Sequence, residues 1–462
     1  MPGEMGILRA EAGGARLARA PLEGGTPRDV MEGVSAADWS GDGRTLAVVR
    51  ASGARTRLEF PAGHTVYETS GTLISPRVAP DGRHVALVDQ SMLGNTLGSV
   101  VVVDANGAAR RLSDGWLTIG GLAWTRDGRE VWFSAARAGT SRSLNAVSLA
   151  GRERLVSRGP ASLILQDIAP DGRALLTHAH ERSEALGRLA GETTERDHSF
   201  YDWTHATDLL PGGRGLVFTA EGEGGGPLYT SYLWRRPQEP PVRLGEGHTT
   251  ELSPDGTAVL SMVRSAPPRL VVLPTGAGEV RTLAHGRTFA EHHWAWWLPD
   301  GRVLFLANEP GHAPQLFAQA LDEAVAHPIA PEGVTAYRHK PISPDGRSVL
   351  ALTPGPPQQF VLWPLAGGPA RPLPALTPRD RPLQWSADGR ALFVRAAGTG
   401  LPVRIERVDL ASGRRTLQSE LRPDDAAGIV SVGDVLVSAD GQAYAYNAHR
   451  ELSELFLVAG LR

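Results

Sequence analysis

Ten times along this 462-residue chain, a turn signal, Asp-Gly in nine copies and Gly212-Gly213 in one, is followed at once by alternating apolar residues. One copy is KPISPDGRSVLAL, Lys340 to Leu352. Its relatives are SGDGRTLAVV, APDGRHVALV, TRDGREVWFS, APDGRALLTH, LPGGRGLVFT, SPDGTAVLSM, LPDGRVLFLA, SADGRALFVR and SADGQAYAYN. The Asp register falls at 42, 81, 127, 171, 212, 255, 300, 345, 388 and 440, a mean period of about 44 residues. A period in this range marks an architecture built by repeating one supersecondary unit, a propeller blade or a solenoid turn. Pro2-Gly3-Glu4-Met5-Gly6-Ile7-Leu8 reads as a degraded eleventh copy, with Gly3 at the Asp register.

The interior of the repeat decides between strand and helix. Three residues before the Asp stand Trp39, Val78, Trp124, Ile168, Leu209, Leu252, Trp297, Ile342, Trp385 and Val437. Four residues after it stand Leu46, Val85, Val131, Leu175, Leu216, Val259, Leu304, Val349, Leu392 and Tyr444. Apolar positions flanking an Asp-Gly turn, in short runs rich in Val, Leu and aromatics, predict two antiparallel strands joined by a hairpin. Gly supplies the positive φ that such turns require, and Asp bonds the local backbone. A third run, such as Gly98–Asp104 or Gln315–Gln319, and a fourth, such as Ala109–Leu112 or Glu279–Leu283, complete each repeat. Four short strands per repeat make one blade of a β-propeller, so the fold class is all-β with ten to eleven four-stranded repeats.

That number exceeds the four to eight blades usual in one ring. Two tandem rings are therefore expected, with residues 1–200 forming the first and 201–462 the second; one large ring is the alternative. The chain starts inside a repeat, after its first strand, and finishes at Leu455-Phe-Leu-Val458, before a fourth. Either the two ends complete a shared sheet, which removes exposed edges, or the polypeptide continues upstream of Met1.

With 54 Gly and 35 Pro the chain is dense in turns, yet 41% hydrophobic content is ample for a core. A net charge of −3 offers no concentrated basic face for nucleic acid. Cysteine is absent, which excludes disulfides, thiol catalysis and Cys-based zinc sites. Lys340 is the only lysine among 47 basic residues, a usage that points to a GC-rich bacterial genome. The first thirty residues hold no apolar segment of signal-peptide type, and no run approaches the length of a membrane-spanning helix. Insertion into a membrane by this chain is not expected.

The SPDGR-type repeats resemble the PD40, or TolB-like, class of WD40-like propellers over essentially the whole chain. Further runs resemble the C-terminal propeller region of bacterial receptor-like serine/threonine protein kinases: Ala37–Ser40 (ADWS), Arg57–Pro61 (RLEFP), Val66–Thr69 (VYET), Gly128–Phe133 (GREVWF), Glu221–Pro227 (EGEGGGP), Leu273–Glu279 (LPTGAGE) and Asn308–His312 (NEPGH). That resemblance implies a sensor region following a cytoplasmic kinase domain and a membrane span, neither of which this chain contains. It would place the propeller on the periplasmic or extracellular side; a free-standing relative would be cytoplasmic.

Catalytic motifs are missing. The glycine-rich loop, strand lysine and Asp elements of a kinase do not occur. Ile429-Val-Ser-Val-Gly433 lacks the first Gly of a hydrolase elbow. Arg196–His205 holds Asp, His and Ser together, but adjacency in sequence is not triad geometry. Glu221–Pro227 joins two strands and carries Glu221 and Glu223, so it reads as a flexible blade loop; as a binding element it would suit a cation or protein partner better than phosphate. In His292-His-Trp-Ala-Trp-Trp297, Trp297 falls on the apolar register and belongs to the core. Trp294 and Trp296 are expected to pack between blades; the alternative makes them, with His292 and His293, candidates for a ligand anchor at a channel mouth. Adjacent strand residues face opposite ways, so the two histidines do not suit one metal ion.

One more register bears on function. Four residues before the turn Asp lie Asp38, Arg77, Asp167, Asp208, Glu251 and Gln384, on the opposite face of the innermost strand from the apolar position. Asp38, Asp167, Asp208 and Glu251 would give the channel an acidic mouth, or would bond backbone amides of the adjoining blade, since buried carboxylates must be paired. The expected protein is a non-enzymatic propeller, without cofactor or metal, that recognises a protein or small-molecule ligand with its loops and channel mouth. An accessory domain of a peptidase-like enzyme and a protein-assembly scaffold are the alternatives.

Overall fold

The computed structural model describes residues 4–11, 14–52, 55–90, 97–159, 161–235, 239–265, 267–355, 357–396 and 401–461. Pro2 and Gly3 of the degraded first copy lie outside them. Among the described residues, regular structure is strand throughout, except for a 3-10 turn at Pro211–Gly213. The protein is an all-β assembly of antiparallel sheets, most of them four-stranded.

The recurrent turn explains why the sheets repeat. Ser343 Oγ donates to Asp345 Oδ1 at 2.6 Å, and the same carboxylate oxygen accepts the Arg347 amide at 3.0 Å. Ser343 Oγ in turn accepts the Ser348 amide at 3.0 Å, and Gly346 holds φ at +67°. The Ser-Asp pair repeats at Ser40/Asp42, Ser253/Asp255, Ser386/Asp388 and Ser438/Asp440. A turn satisfied by its own side chains needs no help from the rest of the molecule, so the copies that carry this pair close their first hairpin locally.

The chain divides into two compact units, residues 1–180 with 452–462, and residues 181–451. A cut at 200 therefore lies inside the second unit. The first unit opens with a three-stranded sheet, Glu4–Glu11, Gly14–Pro21 and Arg28–Glu32, the form expected of a copy lacking its first strand. Three four-stranded sheets follow, beginning at Val34–Trp39, Thr72–Val78 and Thr118–Trp124. The last sheet of this unit combines Ser162–Ile168 with residues 174–180 and 452–458. The C-terminal strand thus completes this sheet and not the first one, so the two chain ends do not share a sheet. Val458 and Leu461 pack on the cluster around Leu165 and Leu176.

The second unit is a six-sheet propeller. Five sheets are consecutive in sequence, with innermost strands Thr204–Leu209, His248–Leu252, Glu291–Trp297, Thr335–Ala336 and Arg381–Trp385. The sixth takes Ile429–Val437 and residues 444–451 from the end of the unit, and residues 181–188 and Arg196–Asp197 from its start. A sheet shared by both ends closes the ring and removes two edges that would otherwise be open. Asn447 seals this join: its Oδ1 accepts the Ala206 amide at 2.8 Å and its Nδ2 donates to the Ala206 carbonyl at 2.9 Å. Apolar faces of adjacent sheets form the core, with Trp296, Phe305 and Phe317 wholly buried.

Candidate binding site in the channel of the second unit

Innermost strands of a propeller line its central channel. In the fourth sheet of this unit the innermost strand stops after Thr335–Ala336, and the chain continues as Tyr337, Arg338, His339 and Lys340 outside regular structure. Lys340 holds a φ of +37°, a left-handed conformation that costs a non-glycine residue about 1 kcal/mol. Pro341 follows, and a residue before proline is already disfavoured in the right-handed helical region. Strain of this kind persists only where surrounding contacts over-determine it. Here the contacts are ionic, and they occur at two places.

The first is an ion triad. Lys340 Nζ lies 2.8 Å from Asp208 Oδ2 and 2.8 Å from Glu251 Oε1. Both carboxylates also bind backbone. Asp208 accepts the Leu209 amide at 2.9 Å and the Leu252 amide of the next sheet at 3.0 Å. Glu251 accepts the Trp297 amide of the sheet after that at 2.6 Å. Burial alone would lower the Lys340 ammonium, but Asp208 and Glu251 outweigh it and hold the group well above the usual lysine range. A cavity of about 220 Å³ adjoins the triad, lined also by Trp296, Arg338 and Gln384.

The second centres on Asp434. Its Oδ2 lies 3.0 Å from His205 Nε2 and accepts Arg338 Nη1 at 2.9 Å, while its Oδ1 is 3.2 Å from His339 Nε2. Glu221 extends the network, with Oε1 3.2 Å from His248 Nε2 and 3.9 Å from His205 Nδ1. Burial works to raise Asp434, but hydrogen bonds from His205 and His339 hold it far below the usual carboxylate range. Glu221 is likewise driven up by burial and brought down to about 2 by His205 and His248. Burial opposes the His205 charge, and Asp434 and Glu221 overcome it, so its pKa is raised. Arg338 stacks on Trp294, its guanidinium carbon 4.4 Å from the ring centre, and His248 meets the same ring at 5.6 Å.

The residues singled out from sequence are dispersed. Asp208, Glu251, Glu221 and Trp294 join this channel network. Trp296 is wholly buried and donates its indole N–H to the Arg338 carbonyl at 2.8 Å, so it holds the irregular segment in place. His292 sinks into an aromatic packet of His285, Phe289 and Phe305, whereas His293 turns to Asn308 Oδ1 at 2.9 Å. Glu223 is exposed. Asp38 and Asp167 belong to the first unit. There Asp38 accepts the Val78 amide of the next sheet at 2.7 Å, and Asp167 accepts the amide of its own neighbour Ile168 at 2.8 Å. Sequence reasoning missed His205, His248, Arg338, His339 and Asp434. The available signal was the solitary lysine of the chain, beside two other basic residues and directly before a proline.

Catalytic geometry is not assembled by these groups. A string of hydroxyl, imidazole and carboxylate, Thr219, His248 and Glu221, has a 3.5 Å first link and a Thr219 with no solvent exposure. In the Asp-His-Ser run, Asp197 accepts the Ser199 amide, and His198 Nε2 faces Glu192 at 3.3 Å. Among the described residues no group of three or more His, Asp or Glu side chains is arranged to hold a metal ion.

No family model matches the chain, and no curated protein matches it in sequence. Solved structures do. A putative TolB from Agrobacterium tumefaciens is 18% identical, covering 58% of this chain and 98% of that one at a TM-score of 0.42. TolB from Acinetobacter baumannii is 13% identical over 60% of this chain and 81% of its own, at 0.23. The β-propeller domain of the Trilobed protease from Pyrococcus furiosus is 11% identical over 80% and 93%, at 0.27. At this degree of likeness the propeller assignment rests on the sheet order, the repeated turn and the closing sheet.

Proposed function

We propose that this protein is a non-enzymatic recognition module whose second unit receives a ligand or a protein segment at its channel. One observation carries the reading. The segment Arg338–Lys340 leaves its strand and adopts a strained backbone to place three cationic or titratable side chains against Asp208, Glu251 and Asp434. A core built only for stability is better served by apolar side chains, because desolvating paired charges offsets most of their attraction. Arg338 is half exposed over Trp294, and Arg and Trp are the side chains most often found at binding hot spots.

The test is capture from source cells with the wild-type chain and with Arg338→Ala on the same support. A ligand or partner retained by the wild type and lost with the variant supports the reading. Equal retention by both chains, or none by either, overturns it.

The resemblance of the runs quoted above to kinase-linked propellers supports a narrower version, in which the module is the sensor region of a receptor-like serine/threonine kinase. An antibody to the propeller, applied to membrane and soluble fractions, tests it. A membrane band far above 49.2 kDa is expected, and a soluble band near that mass would sink the kinase link.

A further inference from the structure

Resting on that reading of the channel, we infer that the second unit binds an organic carboxylate in a pocket beside Asp434, with Arg381 and Arg395 as its anion-binding groups. The pocket has a volume of about 430 Å³. Arg338, Arg381 and Arg395 reach it from three different segments, and Ala336, Leu352, Leu383 and Val435 supply apolar wall. Its only carboxylate is Asp434, which is already engaged by Arg338, His205 and His339.

The two remaining cations lack a counter-ion. Arg395 is only 4% exposed, and its Nη1 donates to the carbonyls of Val432 and Gly433 at 2.9 and 2.8 Å. Those bonds orient the guanidinium without neutralising it. Arg381 is exposed at the pocket rim. Among the described residues, no carboxylate lies within ion-pairing distance of either. A buried arginine is ordinarily paired, because an uncompensated charge in a low-dielectric site is costly. Two such cations beside one cavity make an anion the complementary guest, and planar guanidinium groups match a carboxylate through parallel N–H donors. The apolar wall selects an acid that carries a hydrocarbon body over a bare inorganic anion.

Calorimetric titration of the whole chain with hexanoate, hexanamide and inorganic phosphate tests the inference. Saturable hexanoate binding is expected, with no response to hexanamide, and weaker affinity as salt is raised. Arg381→Gln, a substitution at an exposed position, is expected to weaken hexanoate at least tenfold. Arg395→Gln should act more strongly, but Arg381→Gln decides the matter because its fold is not at risk.

Equal binding of hexanoate and hexanamide overturns the inference, since the pocket would then be merely apolar. Binding of phosphate without hexanoate overturns the carboxylate assignment. No binding at millimolar concentrations, or an unchanged affinity in Arg381→Gln, also overturns it. Failure here together with Arg338-dependent capture would remove the anion site and leave the recognition reading standing.

Discussion

Lys340 Nζ and Asp208 Oδ2 are 2.8 Å apart although 132 positions separate them in the chain. The ammonium also serves Glu251, so one cation balances two carboxylates that are 5% and 9% exposed. Removing it leaves both charges buried with backbone amides but no cation to balance them. Lys340→Met is therefore expected to destabilise the second unit by about 3 kcal/mol. The double variant with Asp208→Asn should recover part of that loss, because it deletes one of the stranded charges. Calorimetric unfolding of the two variants measures the effect; equal destabilisation by both would show that the triad is not coupled.

His205 yields a pH prediction with a definite sign. Its raised pKa means that the folded state favours the imidazolium. The contribution is complete below the unfolded histidine value of about 6.5 and is lost as pH rises through the higher folded value. The melting temperature of His205→Gln should therefore fall furthest below wild type near pH 6. The gap, on the order of 2 kcal/mol for a charge-assisted bond, should narrow toward pH 9. A gap independent of pH would mean that the His205–Asp434 contact is made by neutral imidazole.

Local features were legible in sequence and ring-wide ones were not. The Asp-Gly register locates the hairpins it marks because, as at Ser343, Asp345 and Gly346, residues of the turn settle it among themselves. In sequence, the residue four before the turn Asp fits either a channel acid or a staple between sheets. Asp38, Asp208 and Glu251 are staples to the next amide, and Lys340 makes the last two channel groups as well. Asp434 carries no such register. Its strand, Ile429–Val437, reaches His205 only because the closing sheet joins the end of the unit to its start, a relation that no local pattern encodes. Sequence puts Glu221 in a loop between strands, and the loop is there, but its inward turn depends on His205 and His248 from two other strands.

The aromatic packet around His292 gives the opposite pH behaviour. Neither ring nitrogen has a hydrogen-bond partner, and burial, aided by repulsion from His285 and His293, lowers its pKa to about 3. A histidine held neutral in this way contributes stability above the unfolded value of about 6.5, and loses it as pH falls toward the folded one. His292→Phe suits the surrounding rings of Phe289 and Phe305. It should stabilise the second unit by about 1 to 3 kcal/mol by removing unsatisfied polar atoms. The advantage should grow from pH 7 to pH 4. Unfolding followed across that range decides it, and a variant that loses its advantage on acidification would contradict the buried neutral state.

Asp38 tests the first unit by the same logic with an acid. Burial raises its carboxyl from the ordinary range to about 6, opposed by the Val78 amide and Arg77 and aided by the charge of Asp167. A carboxyl raised on folding favours the protonated form. Its contribution is therefore complete below the unfolded value of about 3.9 and is lost as pH rises through 6. Asp38→Asn keeps an oxygen to accept the Val78 amide and carries no charge at any pH. At pH 8 the variant should be more stable than wild type by up to about 3 kcal/mol, and near pH 4 the two should coincide. Amide exchange of residues 72–90, read at both pH values, separates this unit from the second. A variant less stable than wild type at pH 8 would show that the ionised carboxylate, through its bond to Val78, is what holds these two sheets together.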